Sequence, residues 1–193
     1  MITKICFATA NAHKLGEVKK LLPEYEVLGL TDIGCFESVP EDFETLKENS
    51  LQKARFVSEK FGVDCFADDS GLEVEALHGA PGVHSAYYGG PERDAQKNMT
   101  QLLRDLGDVS NRKARFVTII TLIVSGNVYV FEGELRGTIA EAPRGTAGFG
   151  YDPIFIPDGE TRSIAEMSSE EKNRISHRAV AVHKLVDQLK LLL

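Results

Sequence analysis

Asp68 and Asp69 stand side by side directly after the apolar run that ends at Ala67. Carboxylates at the end of a buried strand are costly to desolvate unless water or a cation reaches them. A hard divalent ion answers that cost. Mg2+ takes carboxylate and water oxygens and bridges to phosphate oxygens, so Asp68, Asp69 and an acid from the 41–44 loop are candidate ligands. If the strand runs on through both residues, alternation sends them to opposite faces and only one need belong to a site. If the chain instead turns at DDSG, either carboxylate can cap a solvated turn.

Four further groups carry possible chemistry. TANAHK, residues 9–14, follows a strand and opens a helix, the layout of a phosphate loop with Lys14 as its cation. It lacks the glycines of the GxxxxGK[ST] loop, and Asn11 also suits an ordinary helix start and Thr9 an ordinary strand-end hydroxyl. Glu48, Asn49, Gln52 and Lys53 form a polar stripe, which reads as a solvated helix face or, if the helix lies beside the strand ends, brings Lys53 to a phosphate. Phe149, between two glycines, fits either a core plug or a base-stacking platform. In the C-terminal segment, Ser168 and Glu171 form a capping box that starts a helix. One unbroken helix to Leu193 would spread Lys172, His177 and Arg178 around its circumference. A break at Ser176, acting as a second N-cap, would bring His177 and Arg178 near Lys172 at a helix head, where anions are favoured. His78, His84 and His183 have no partner pattern.

The elements that must position these groups follow from periodicity and turn chemistry. Strands are expected at residues 3–9, Tyr25–Leu30, Val63–Ala67, Ala114–Val124, Val128–Glu132 and Glu134–Ala140, and helices at His13–Leu22, Thr45–Phe61 and Arg93–Leu106. The β-branched run from Ala114 to Val124 suits a central strand covered on both faces. Residues 31–44 are acidic and irregular, residues 77–91 form a Gly-rich loop, and GTAGFGYDP at 145–153 forms a tight one.

With 193 residues, 42% of them hydrophobic, the chain can bury the core of one domain, 1–193, without a second. The net charge of −7 argues against a chain that coats nucleic-acid backbone, while leaving room for a small anionic substrate at a local cationic cluster. Cys6, Cys35 and Cys65 are widely spaced without CxxC or a His partner, which reads as reduced buried thiols. With neither a signal-peptide pattern nor a membrane-length apolar run, a cytoplasmic location is the expectation.

Taken together, TANAHK (9–14), ENSLQKA (48–54), ADDSGLEVEALHGAPGVHSA (67–86), FGYDP (149–153) and EKNRISHR (171–178) resemble the Ham1/RdgB family of inosine/xanthosine triphosphate pyrophosphatases, in order and over nearly the whole chain. The resemblance implies an elongated, two-lobed α/β fold with a long mixed sheet flanked by helices, a central substrate cleft and a homodimer. It implies hydrolysis of non-standard purine triphosphates (ITP, dITP, XTP) to monophosphate and pyrophosphate, with Mg2+. Carried onto this chain, the segment Thr9, Ala10, Asn11, Ala12, His13, Lys14 matches the phosphate motif, His13 occupying an open position with no catalytic role, and Lys53 matches a phosphate-contacting lysine. Asp69 matches the proton acceptor and metal ligand and Glu41 the second metal carboxylate. Ser70, Phe149, Gly150, Tyr151, Asp152, Lys172, His177 and Arg178 match substrate contacts, and Tyr151 stands where some members carry Trp. A pyrophosphatase of another modified nucleotide, as in the Maf proteins, and a non-catalytic nucleotide sensor are the alternatives; a nucleic-acid-binding module is the remotest.

Overall fold

A computed structural model of the chain describes residues 4–192. The elements run β1 (Lys4–Phe7), α1 (Ala12–Leu21), β2 (Glu26–Leu28), α2 (Leu46–Phe61), β3 (Cys65–Val74), β4 (Pro81–Gly82), α3 (Ala95–Leu106), β5 (Lys113–Val124), β6 (Asn127–Ile139), β7 (Phe155–Pro157), α4 (Ser169–Ile175) and α5 (His177–Leu191). The expected outer ends at residue 3 and Leu193 lie outside the described residues. Among those described, the strands form an α/β sheet in the order β2-β1-β3-β5-β6-β7, with β4 on β3. β1 pairs in parallel with β2 and β3, while β3–β4 and β6–β7 are antiparallel, so the sheet is mixed.

The chain divides into two compact units. The first takes the chain as far as Asp69, then Thr118–Gly133 and the stretch from Arg178 on; the second comprises Ser70–Val117 and Glu134–His177. β3, β5 and β6 each run from one unit into the other.

In the first unit, strand alternation sorts apolar side chains into two clusters. Ile5, Phe7, Phe66, Ile120, Leu122 and Val124 pack with Val18 of α1, Leu22 just after it, and Val182, Leu185 and Leu189 of α5. Their sequence neighbours Cys6, Ala8, Cys65, Ala67 and Ile123 pack with Ala54 and Val57 of α2. The sheet here is covered on both faces, which is why the part of β5 from Thr118 to Val124 is buried throughout and mostly apolar rather than alternating. The three cysteines are free and buried, and burial pushes the Cys6 and Cys65 thiols up to about 12. The second unit has one core, in which Met99, Leu102 and Leu106 of α3 meet Leu72, Val74, Phe116, Tyr151, Ile154 and Phe155.

Two expectations about strands are corrected. The DDSG segment is not a turn but the middle of β3, which runs from Cys65 to Val74. Its turn-forming residue types are overridden because Asp68 is paired with Lys14 and the buried Arg178, and because Gly71 admits the Gly82 carbonyl oxygen to 2.4 Å from where a Cβ would stand. The two strands expected at 128–132 and 134–140 are one strand, β6, with Gly133 inside it. It lies beside the long β5, whose ladder supplies backbone partners along its length. β7 was not expected at all, being three residues directly after a 3-10 turn.

Candidate functional site

In the first unit, β1 ends before a backbone turn that feeds α1. The Thr9 hydroxyl accepts the Asn11 N–H at 3.1 Å, and Asn11 Oδ1 accepts the N–H groups of His13 at 3.0 Å and Lys14 at 3.2 Å. Asn11 is therefore the N-cap of α1, and residues 10–13 are left exposed at the helix start. From the first turn of that helix, Lys14 reaches back to the sheet, where its Nζ lies 3.0 Å from Asp68 Oδ1.

Asp68 is held from two sides. Its other oxygen, Oδ2, accepts from Arg178 Nε at 3.3 Å, and Arg178 Nη1 lies 2.5 Å from Glu17 Oε2. Arg178 is 2% exposed, and Asp68 1%. Glu17 sits one turn along α1 from Lys14, so both ends of this chain of alternating charges come from one helix face. Sequence reading missed Glu17, although its i+3 spacing from Lys14 was the available signal.

A second cluster surrounds Lys53, which α2 presents beside the sheet. Lys53 Nζ pairs with Glu41 Oε1 and lies 3.7 Å from Asp69 Oδ1. The polar stripe of α2 is thus only partly a solvated face: Asn49 and Lys53 are buried, Gln52 is half-buried and Glu48 is exposed. Glu41 and Asp69 converge on one ammonium although they are far apart in the chain.

Electrostatics follow this geometry. Burial pushes the Asp69 carboxyl above its ordinary value of 3.8; Lys53 and Lys14 pull against that, and the charges of Glu41 and Asp68 add to it. Burial would raise Asp68 too, but Lys14, Arg178 and Lys53 outweigh it and hold that carboxyl well below the usual range. Burial lowers Lys14, with Asp68 opposing. Burial also works against the Lys53 ammonium, yet Asp69, Asp68 and Glu41 keep it above its ordinary value. Of the two adjacent aspartates, Asp68 is committed to fixed cations and Asp69 is the one with a raised, base-like carboxyl.

The second unit builds a different constellation on the loop 145–153 and on α4. Asp152 Oδ2 accepts the Phe149 N–H at 2.8 Å and the Lys172 ammonium at 2.7 Å. Lys172 Nζ lies 4.5 Å from the centre of the Phe149 ring. Gly148, at φ 76°, wraps around the same carboxylate: a Cβ there would stand 2.1 Å from Asp152 Oδ2. Phe149 is half-buried and outside the core cluster, whereas Tyr151 fills the core and its hydroxyl donates to the Ser85 carbonyl at 2.9 Å. The core plug in this loop is Tyr151, with Gly150 between the two aromatics in the left-handed region. Ser70 is half-buried on β3.

Of the two readings of the C-terminal segment, the structure has the broken helix. Ser176 has φ −65° and ψ 148°, α4 ends before it and α5 begins after it. The His177 ring stacks on Phe116 with centroids 4.8 Å apart. His177 and Lys172 belong to the second unit and Arg178 to the first. A depression of about 960 Å³, lined by residues including Asn111, Arg112, Lys113, Glu141 and Arg144, contains none of these groups. Its Arg112 guanidinium is spent on the carbonyls of Gly107, Ile139 and Ala140.

Among the described residues, no group of three or more His, Cys, Asp or Glu is arranged to hold a metal. Two oxygen donors, Glu41 and Asp69, do converge, which suits an ion that completes its shell with water and phosphate oxygens. No helix among those residues is long and apolar enough to cross a membrane.

Comparison with known proteins gives a consistent picture. Residues 5–188 match the profile of the Ham1 family. The chain is 53% identical over 188 residues to a dITP/XTP pyrophosphatase of Porphyromonas gingivalis, covering 96% of this chain and 97% of that protein. It is 48% identical over 187 residues to one of Flavobacterium johnsoniae, covering 96% and 97%. Among solved structures, the Ham1 protein of Staphylococcus aureus superposes with a TM-score of 0.88 at 36% identity, covering 97% of this chain and 98% of that one. A HAM1 protein from Coxiella burnetii gives 0.89 at 36% identity, with the same coverage.

Proposed function

The chain belongs to the Ham1 family, and from that premise we propose that it hydrolyses non-standard purine nucleoside triphosphates, dITP, ITP and XTP, to the monophosphate and pyrophosphate. The observation that carries this reading is the pairing of Lys14, Lys53 and a raised Asp69 carboxyl in one unit, in a chain 53% identical to a dITP/XTP pyrophosphatase.

Hydrolysis at the α-phosphorus forms a bond from water oxygen to phosphorus and breaks the bond to the α–β bridging oxygen, which leaves with pyrophosphate. Phosphoryl transfer of this kind asks mainly for positioning and for neutralisation of charge. Asp69 accepts the water's proton, and its raised carboxyl makes it a stronger base than an ordinary aspartate. Lys14 and Lys53, with the Thr9–Lys14 segment, take the phosphate oxygens and the charge on the leaving group. In this cluster the carboxylates of Glu17, Glu41, Asp68 and Asp69 stand against the cations of Lys14, Lys53 and Arg178, an excess of one negative group. A triphosphate entering there calls for added positive charge. Glu41 and Asp69 would hold a divalent ion, Mg2+ by the oxygen-only donor pair, and when bound it supplies that charge to phosphate oxygens.

The family resemblance supports the base contacts: Phe149 stacks on the purine, donors from Lys172, His177 and Arg178 read the 6-oxo group that distinguishes hypoxanthine and xanthine from adenine, and Ser70, Gly150, Tyr151 and Asp152 match further substrate contacts. Donors left unpaired by adenine discriminate by roughly 10⁴. The chain acts as one domain, 1–193, and as a cytoplasmic homodimer on free nucleotides, without nucleic-acid or membrane partners; the family resemblance supports that part. Pyrophosphate release from dITP, ITP, XTP, GTP and ATP, with Mg2+ and with EDTA, tests the reading. Monophosphate from the first three, scarcely from the last two and abolished by EDTA, is the expected outcome. Tight ITP binding without turnover would replace it with the nucleotide-sensor reading.

A further inference from the structure

The polar stripe of α2 does more than present Lys53. Three of its four members each reach one residue of the loop that carries Glu41, while Glu48 stays with Thr45 at the helix cap. Lys53 takes Glu41. Gln52 Oε1 accepts the Asp42 N–H at 2.9 Å, and its Nε2 donates to Asp42 Oδ2 at 2.7 Å. Asn49 Oδ1 accepts the Phe43 N–H at 2.9 Å, and its Nδ2 donates to the Phe43 carbonyl at 3.0 Å. Residues 41–43 belong to no helix or strand, so their backbone groups depend on such side chains for partners. A carboxamide can grip a residue through a donor and an acceptor at once, which neither a hydroxyl of this reach nor a charged side chain matches. The spacing 49, 52, 53 puts the three on one helix face, so a rigid helix sets the loop residue by residue.

We propose that Asn49 and Gln52 are positioning residues for Glu41, holding its loop against α2 so that the Glu41 carboxylate stays with Asp69 in the pair that receives the divalent ion. This rests on the reading of Glu41 and Asp69 as the cation carboxylates. Partners that orient metal-ligating groups typically change affinity by 10- to 100-fold when removed. The Asn49 grip is largely buried and the Gln52 grip is exposed, so the former has the larger effect.

The test titrates Mn2+ alone into the full-length protein and its Asn49→Leu and Gln52→Leu variants, following free Mn2+ by electron paramagnetic resonance, with amide exchange at Asp42 and Phe43 measured in parallel. Faster exchange at Phe43 in the first variant and Asp42 in the second, with Mn2+ binding weakened about 10-fold in Asn49→Leu, is the expected result. The Mg2+ concentration for half-maximal pyrophosphate release rises with it, and turnover is largely regained at saturating Mg2+. Should Asn49→Leu fail to fold, Gln52→Leu carries the same comparison. Faster exchange with unchanged Mn2+ affinity, while Glu41→Gln loses affinity, overturns the positioning role alone. Unchanged affinity in Glu41→Gln removes the underlying reading of the carboxylate pair, and the proposal with it.

Discussion

Replacing Asp68 by Asn takes one negative charge from between the buried Arg178 and the half-buried Lys14. In the folded chain Lys14 Nζ lies 3.0 Å from one Asp68 oxygen and Arg178 Nε 3.3 Å from the other. The asparagine keeps one acceptor and turns an NH2 group towards one of those donors. Breaking a buried pair by removing one partner typically costs about 3–5 kcal/mol, because the opposite charge is left uncompensated. Here Arg178 retains Glu17, so the lower end, about 3 kcal/mol, is expected. For a chain of this length that corresponds to a fall in Tm of roughly 6–12 °C by calorimetry. The effect has a pH signature. Asp68 has a folded-state pKa below its ordinary value of 3.8, because Lys14, Arg178 and Lys53 together outweigh the burial that would raise it. Its contribution is therefore fully present above the unfolded value and lost as pH falls through the lower, folded one. The difference between parent and variant should stay level from neutral pH down to about pH 5 and shrink below about pH 4. A loss under about 1 kcal/mol at neutral pH, or a difference that grows on acidification, would refute the reasoning.

Three further outcomes are expected. Asp69→Asn should remain folded and lose about 10²–10⁴ in turnover, the usual worth of a general base, and the parent's kcat/KM should fall on acidification through a pKa above 3.8; near-parental turnover by the variant sinks the assignment. Lys172→Met removes the ammonium from the buried Asp152 and should lower both stability and the ITP-to-ATP preference, measured as the ratio of kcat/KM values; an unchanged ratio counts against its place in base recognition. Leu102→Ala, at a fully buried position in the second unit's core, should cost about 2–5 kcal/mol in denaturant unfolding, and a loss below 1 kcal/mol would mean that core is not packed as described.

The sequence by itself determined most of the elements and the inventory of reactive groups. Helical spacing and capping residues mark α1, α2 and α3, the capping box at Ser168 marks α4, and Ser176 is of a type that suits a second N-cap. These signals are local: a cap or a period is complete within one or two turns. The TANAHK, DDSG, FGYD and SHR segments also declare their residue types directly, and the family with them.

Tertiary structure alone decided which partner each charge takes. Asp68 and Asp69 are chemically identical neighbours, and only the positions of Lys14 and Arg178 on one side and Lys53 and Glu41 on the other make the first a fixed anion and leave the second with a raised carboxyl. The same long-range contacts carried β3 straight through DDSG, where local propensity asked for a turn, because a paired carboxylate no longer needs water and Gly71 lets a second backbone approach. They also turned the α2 stripe from an apparent solvent face into the clamp on the 41–43 loop. Coulombic and hydrogen-bonding energies depend on distances between residues that lie 6 to 161 positions apart in the chain, and no local pattern fixes those distances.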